Sequence, residues 1–371
     1  MISVNVSRVV QKPLKNLKLE DLMRKILAAL LITIFFSATS VIAQEDYFAP
    51  TDETKLEGIA LEDGKKVEVT SENRSGEIFD TEQSFNSPNS PIFKTGDKVT
   101  LSIYSNPDGT KQVFITDFIR TNSLYWLFAI FIILVLLIGK RSGLGSLVGM
   151  AVSFAVLFLF IIPQITAGNN PVWTTLIGVL FILPVTFYLS HGVNKKTTIA
   201  LVSTFLSVCF TSLLALFFIN YAKISGYANE QAGFIQLSRG GNFDIQGLLF
   251  AGIVISVIGI LDDVTVSQSS IVNQLRLELP KAKVWEIYQK AMNIGRDHIG
   301  SVVNTLVLVY TGASLPLLIM FTDNSIGFSE ALNYEIIAEE IVKTLVASIG
   351  LVLSIPLTTL LAAYFLNKEK N

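Results

Sequence analysis

A single cysteine, Cys209, stands among 371 residues, so an internal disulfide framework is excluded. Only two histidines occur, His191 and His298, with neither a C-x-x-C nor an H-E-x-x-H pattern, so no metal site is expected. Charge is scarce as well. Lys, Arg, Asp and Glu make up 16% of the chain and balance to a formal net charge of -2. Without a basic face nothing neutralises a phosphate backbone, which excludes nucleic acid as a partner. No G-x-S-G pattern supplies a serine nucleophile, and no catalytic residue, enzyme activity or cofactor is expected. Apolar residues, by contrast, are abundant. At 51% hydrophobic and a mean hydropathy of +0.55, the chain has too little polar surface to cover a soluble globule, so part of it must face lipid.

The beginning of the chain reads as an export signal. Met23-Arg24-Lys25 precede an apolar run over 26–36, and Val41-Ile42-Ala43 gives an A-x-A-like cleavage site before Gln44. Either Met23 is the start, or Lys12, Lys15 and Lys18 lengthen the basic region; an uncleaved first helix is the alternative. Residues 1–44 therefore form a signal region, and the segment after it is exported. Over 45–120 the apolar runs shorten to strand length. Val67-Glu68-Val69, 99–104 and Val113-Phe114-Ile115 alternate or are β-branched, with turn signals at Glu62-Asp63-Gly64, Thr95-Gly96-Asp97 and Pro107-Asp108-Gly109. A small all-β barrel or sandwich is expected, serving as a structural or docking module because it holds no catalytic or metal-ligand constellation.

Residues 121–371 form a helical membrane domain. Seven runs, 124–138, 144–162, 172–189, 199–219, 247–267, 299–321 and 341–365, approach the roughly 20 residues needed to cross about 30 Å of hydrocarbon. With the β domain outside, the inner loops carry Lys140, Arg141, Lys195, Lys196, Arg276, Lys281, Lys283, Lys290, Arg296, Lys368 and Lys370. The outer side carries only Lys223, Arg239 and Lys343. That asymmetry predicts a cytoplasmic C-terminus. Residues 281–295 put Val284, Trp285, Tyr288, Ala291 and Met292 on one face opposite lysines, as an interfacial helix does. Residues 329–340 read as an acidic lead-in to the last span, with Glu335, Glu339 and Glu340 facing water or headgroups and Glu339 pairing with Lys343. The loop over 221–246, with Arg239-Gly240-Gly241, reads as a lid or a linker.

Asp262-Asp263 are the sharpest signal. A carboxylate at membrane depth costs about 2.5 to 3.5 kcal/mol, so two imply a function or a watery cavity. Both cannot be ionised cheaply in a low-dielectric site, so one exchanges protons unless a cation sits between them. Asn304, Thr305, Thr358 and Thr359, with Ser203 or Thr204, lie at comparable depth on other spans, and some of them, with Gln268 farther along the same span, are expected to form a polar cluster with the pair. The alternative is a helix that ends at Leu261, with the aspartates capping it in water. Arg296, Asp297 and His298 open the sixth span as an interfacial anchor or as a gate pairing with the aspartates. Gly312-Ala313-Ser314 with Pro316, and Gly350, Ser354 and Pro356, read as packing sites and kinks.

These residues carry a resemblance. Gly259-Ile260-Leu261-Asp262-Asp263-Val264-Thr265-Val266-Ser267-Gln268, Gly295-Arg296-Asp297-His298-Ile299, Asn304-Thr305-Leu306, Tyr310 and Gly312-Ala313-Ser314-Leu315-Pro316 look like the signature of the YibE/F family of bacterial multipass membrane proteins. Glu340-Ile341-Val342-Lys343, 348–351 and Pro356-Leu357-Thr358-Thr359 also match, with Lys343 where the family has arginine. The resemblance covers about 124–366 and implies a bundle in a bacterial plasma (inner) membrane, without a particular chemistry. A weaker likeness, carried by G-x-L-x-D-D, is to half of a resistance-nodulation-division permease or a SecD/SecF export factor; it implies proton coupling at Asp262 and Asp263 only. Such proteins usually bring two repeats, so a single bundle would assemble as a homo-oligomer or with a membrane partner.

The sequence supports two functional classes. One is a proton- or ion-coupled permease or export-assisting protein, motivated by the aspartate pair. The other is a membrane scaffold or sensor whose β domain binds an extracytoplasmic ligand or partner. No substrate is legible in the sequence.

Overall fold

The computed structural model describes residues 53–71, 74–81, 91–105, 111–228, 230–238, 243–323 and 327–366. The expected signal region, the Pro107-Asp108-Gly109 turn and Arg239-Gly240-Gly241 lie outside them. Two compact units divide the chain, with the boundary between Ile138 and Gly139.

The first unit holds strands β1 (Glu53–Leu61), β2 (Lys66–Val69), β3 (Ile78–Asp80), β4 (Lys98–Ser105) and β5 (Lys111–Phe118). They form one antiparallel sheet in the order β3-β2-β1-β4-β5. Val67, Val69, Val99, Leu101, Ile103, Val113 and Ile115 alternate onto one face and form its core with Phe79, Phe93 and Phe118. The expected barrel or sandwich is replaced by an open sheet among the described residues: β3 is three residues long and pairs only with β2. Central strand β1 was not foreseen, because its inward positions include Gly58 and Ala60, which carry little apolar signal. Gly58 is needed there, since a Cβ would stand 2.5 Å from Val67 Cγ1 and 2.7 Å from the Glu68 carbonyl oxygen. Glu62, Asp63 and Gly64 all take positive φ in the tight β1–β2 turn.

Helix α1 (Thr121–Val156) runs from the first unit into the second. It continues through a π-turn (Leu157–Ile161) into α2 (Ile162–Thr166), 46 residues in all. Two spans and a basic loop were expected here. The two runs meet at a kink rather than a longer loop: Lys140, at φ 50° and ψ −126°, breaks the helix between them. Then come α3 (Pro171–His191), α4 (Lys195–Tyr221), α5 (Glu230–Ser238), α6 (Ile245–Glu278), α7 (Val284–Ala313), α8 (Leu315–Asp323), α9 (Phe328–Ala331) and α10 (Glu335–Phe365). Five helices among the described residues are long and apolar enough to cross a membrane, with Thr121–Thr166 counted as one although it kinks at Lys140. The expected sixth span is divided between α7 and α8 at Ser314, just before Pro316, whose missing N–H and ring interrupt the helical ladder. The interfacial helix expected over 281–295 is the beginning of α7, where Trp285 and Tyr288 stack at 4.9 Å. The chain is an integral membrane protein with an N-terminal β region.

Helices α4, α6 and α10 pack on one another at the centre, with α3 and α7 against them. Their contact buries an apolar core, including Val208, Val254, Leu261, Leu351 and Ile355, together with hydroxyls. Ser203, Thr204, Ser207 and Thr211 each donate to the carbonyl four residues earlier, so these four buried hydroxyls of α4 satisfy their donors on their own helix. A Cβ at Gly350 would collide with Thr211 Oγ1, which shows how closely α10 approaches α4. Arg276, expected as a loop charge, is buried and donates to the carbonyls of Ala282 at 2.7 Å and Ala363 at 2.8 Å, tying the end of α6 to the last turns of α10.

The acidic lead-in also differs from expectation. Glu335 does not face water: it accepts from Ser225 N at 2.6 Å, Ser225 Oγ at 2.7 Å and Gly226 N at 2.9 Å. Glu339 is 7% exposed and meets Lys343 Nζ at 2.6 Å, with Glu340 at 3.0 Å from the same nitrogen. The expected Glu339–Lys343 pair is present, but as a half-buried triad, because α10 begins at Glu335 and turns these residues inward. Glu335→Ala should therefore release the 224–226 turn at a cost of about 1.5 to 3 kcal/mol. Hydrogen exchange at the Ser225 and Gly226 amides should speed at least about tenfold; unchanged protection would refute the anchoring role.

Candidate functional site

Asp244 caps α6 by accepting from Gly247 N at 2.8 Å, and the helix then runs 34 residues without a break to Glu278. Asp262 and Asp263 thus lie halfway along it, about 26 Å from its start. A helix ending at Leu261 is ruled out, and the pair is also farther from the helix end than the sequence suggested.

One hundred degrees of helical rotation separates the two side chains. Asp262 is partly buried and its Oδ1 is fully buried with no hydrogen-bond partner among the described residues, whereas Asp263 is exposed. Both line a cavity of about 500 Å³ bounded by the second half of α1, by α3 and by α6. Ser146, Ser153, Thr186, Ser190 and His191 supply its other polar groups, among Phe154, Leu157, Ile182 and Ile258. Ser153 Oγ donates to the Gly149 carbonyl at 3.0 Å, and Thr186 Oγ1 donates to those of Ile182 and Leu183 at 3.0 and 3.1 Å. With their protons committed to their own helices, these hydroxyls turn acceptor lone pairs to the cavity. Acceptor oxygens beside two carboxylates favour a proton, a cation or water and disfavour an anion.

The walls stand close because glycines allow it. A Cβ at Gly145 would collide with the Leu189 carbonyl oxygen, and one at Gly149 would come within 3.4 Å of Thr186 Cα. Backbone thus packs on backbone where α1 crosses α3.

The expected polar cluster forms only in part, and without the aspartates. Gln268 Nε2 donates to Thr359 Oγ1 at 2.7 Å and to the Ala291 carbonyl at 3.2 Å, joining α6, α10 and α7. Thr358 is buried nearby on α10 with its Oγ1 unpartnered among the described residues. Thr204 and Thr265 share a hydrogen bond at 2.6 Å. All of this lies on the α4 and α10 side of α6, away from the Asp262 cavity, because Gln268 comes six residues after Asp262 and points elsewhere on the helix. Asn304 and Thr305 join neither group; both are exposed on α7. The gate is not formed: Arg296 and Asp297 are exposed, Arg296 donates to Asn293 Oδ1 at 3.2 Å, and neither they nor His298 line the cavity.

What sequence reasoning missed is the opposite wall. Ser146, Gly149 and Ser153 recur at three and four residues, as do Thr186 and Ser190, and that small-polar face within apolar runs was the available signal.

Gly145→Ala should push α1 off α3 and lower the stability of the detergent-solubilised protein by about 1 to 3 kcal/mol. Gly252→Ala, at a position open on all sides, should not. Equal thermal unfolding of the two variants would refute the close crossing.

No curated protein and no solved structure matched the chain in comparison. The likeness to half of a resistance-nodulation-division or SecD/SecF bundle accordingly found no support there. Residues 127–368, more than half of the chain and all of the cavity wall, match the family described as YibE/F-like protein; the chain belongs to that family.

Proposed function

We propose that the protein is a proton- or cation-coupled permease or export-assisting protein of the bacterial plasma membrane, and that Asp262 is its coupling group. The observation that carries this reading is the buried Asp262 oxygen, which has no protein partner among the described residues and faces a cavity where the Ser153 and Thr186 hydroxyls already donate to their own helices. A buried carboxylate oxygen left without a donor is costly, so the site is completed by a proton, a water or a cation. Asp263, exposed beside it, adds negative charge that draws such a particle in and makes double ionisation expensive. Loading and unloading at Asp262 then changes the charge of the wall between α6 and α1–α3, which is the kind of switch a coupled conformational change needs.

Orientation supports the same reading. The excess of lysine and arginine in the segments after alternate apolar runs puts the β region outside and the C-terminus in the cytoplasm. His191 and Ser190, at the end of α3, then mark the cytoplasmic mouth of the cavity.

The test is proton movement into liposomes that carry the purified protein and an internal pH dye. Asp262→Asn preserves shape but removes the charge and offers a donor, and should reduce flux to that of empty liposomes. Asp263→Asn should slow it without abolishing it. Full flux in Asp262→Asn, with the variant folded by thermal unfolding, would overturn the assignment.

A further inference from the structure

Between α7, α8, α9 and the beginning of α10 lies another cavity, of about 710 Å³, which takes no part in the Asp262 site. Hydrogen bonds between helices fix its place in the bundle. Ser269 Oγ donates to the Lys196 carbonyl at 2.8 Å and Arg276 to that of Ala363, so the ends of α6 and α10 stand beside the start of α4, next to His191. Glu340, in the second turn of α10, is about 35 Å along that helix from Ala363. The cavity that Glu340 lines therefore lies at the opposite end of the bundle from His191.

Val307, Leu317, Leu318, Leu332, Ile341 and Leu345 make its wall largely apolar, and Glu340 is its one charged group among the described residues. Lys343 neutralises that charge only in part. Its Nζ lies 2.6 Å from Glu339 and 3.0 Å from Glu340, and Glu339 is the more deeply buried, at 7% exposed, with its Oε2 unpartnered among the described residues. A buried carboxylate needs its counter-ion most, so the lysine is committed there and the three groups keep one net negative charge. The hydroxyls add no compensation. Ser314 Oγ donates to Glu340 Oε2 at 3.3 Å, while Thr344 and Thr322 donate to the carbonyls of Glu340 and Leu318 at 2.8 and 2.9 Å. With those protons committed, lone pairs are what they have left to offer a ligand. We infer that this cavity is a binding site for an amphipathic organic cation, an apolar body carrying one positive charge, with Glu340 as its counter-ion. The volume suits a ligand of that kind, and Tyr310 and Phe328 in the lining supply aromatic rings that favour the same charge.

The test is equilibrium binding and needs no proton gradient, so it stands or falls apart from the coupling role of Asp262. Dialysis of the purified protein in maltoside, corrected with protein-free micelles, would compare tetraphenylphosphonium with tetraphenylborate, ions of one shape and opposite charge. The cation should bind at least about tenfold more tightly. Glu340→Gln should remove that preference and Glu340→Asp should keep part of it. Leu345→Trp, which narrows the cavity from a half-exposed position and leaves the charges alone, should weaken the cation at least about tenfold as well. Leu213→Trp, on an exposed face of α4, should not. Thermal unfolding checks that each variant is folded. Equal binding of the two ions would overturn the inference, as would a preference for the cation retained in Glu340→Gln. Phosphatidylethanolamine that co-purifies with the unsubstituted protein and is lost from Glu340→Gln would also overturn it, because the ammonium of a lipid would then be the occupant.

Discussion

Inside hydrocarbon every polar group must find its partner within the protein, and the central packing of α4, α6 and α10 depends on that constraint. Ser203, Thr204, Ser207 and Thr211 on α4 are bonded to their own backbone, Thr204 bridges to Thr265, and Gln268 reaches both Thr359 and the Ala291 carbonyl. Because these groups are satisfied, α4 and α10 can come close enough at Gly350 to make a side chain there impossible. The remaining helices are arranged around that seam. Arg276 closes it at one end, and at the other Glu335 holds the 224–226 turn.

Helix α6 therefore has two unlike faces. Toward α4 and α10 it is sealed, with polar atoms mostly paired; toward α1 and α3 it presents Asp262 to a cavity and leaves one carboxylate oxygen unpaired. The contrast distinguishes structure from function on a single helix. Thr265, Gln268 and Thr359 are bonded between helices, while the buried Asp262 oxygen faces a cavity with no partner among the described residues.

Much was legible before any coordinates. The lack of charge and the long apolar runs identified a membrane protein, and the aspartate pair marked the helix that carries the site. Periodicity failed where tertiary contacts decide. The first two apolar runs meet at a kink at Lys140 rather than at a loop, and Ser314 and Pro316 break the sixth run in two. Glu339 looked like a solvated residue, yet its pairing with Lys343 allows it to be buried. β1 escaped notice because the glycine and alanine that let its neighbours approach are the residues with least apolar signal.

Depth along a helix is a property of the sequence, since rise per residue is fixed; direction around the bundle is not. The sequence by itself therefore determined that Asp262, Gln268, Asn304 and Thr359 lie within apolar segments, at the expense such residues incur there. Only the tertiary structure decided that Gln268 meets Thr359, that Asn304 points away from both, and that Asp262 faces Ser153 and Thr186 across a cavity. Those choices rest on which helix stands against which face, and that was settled by close backbone crossings at Gly145 and Gly350, far from the charged residues they position.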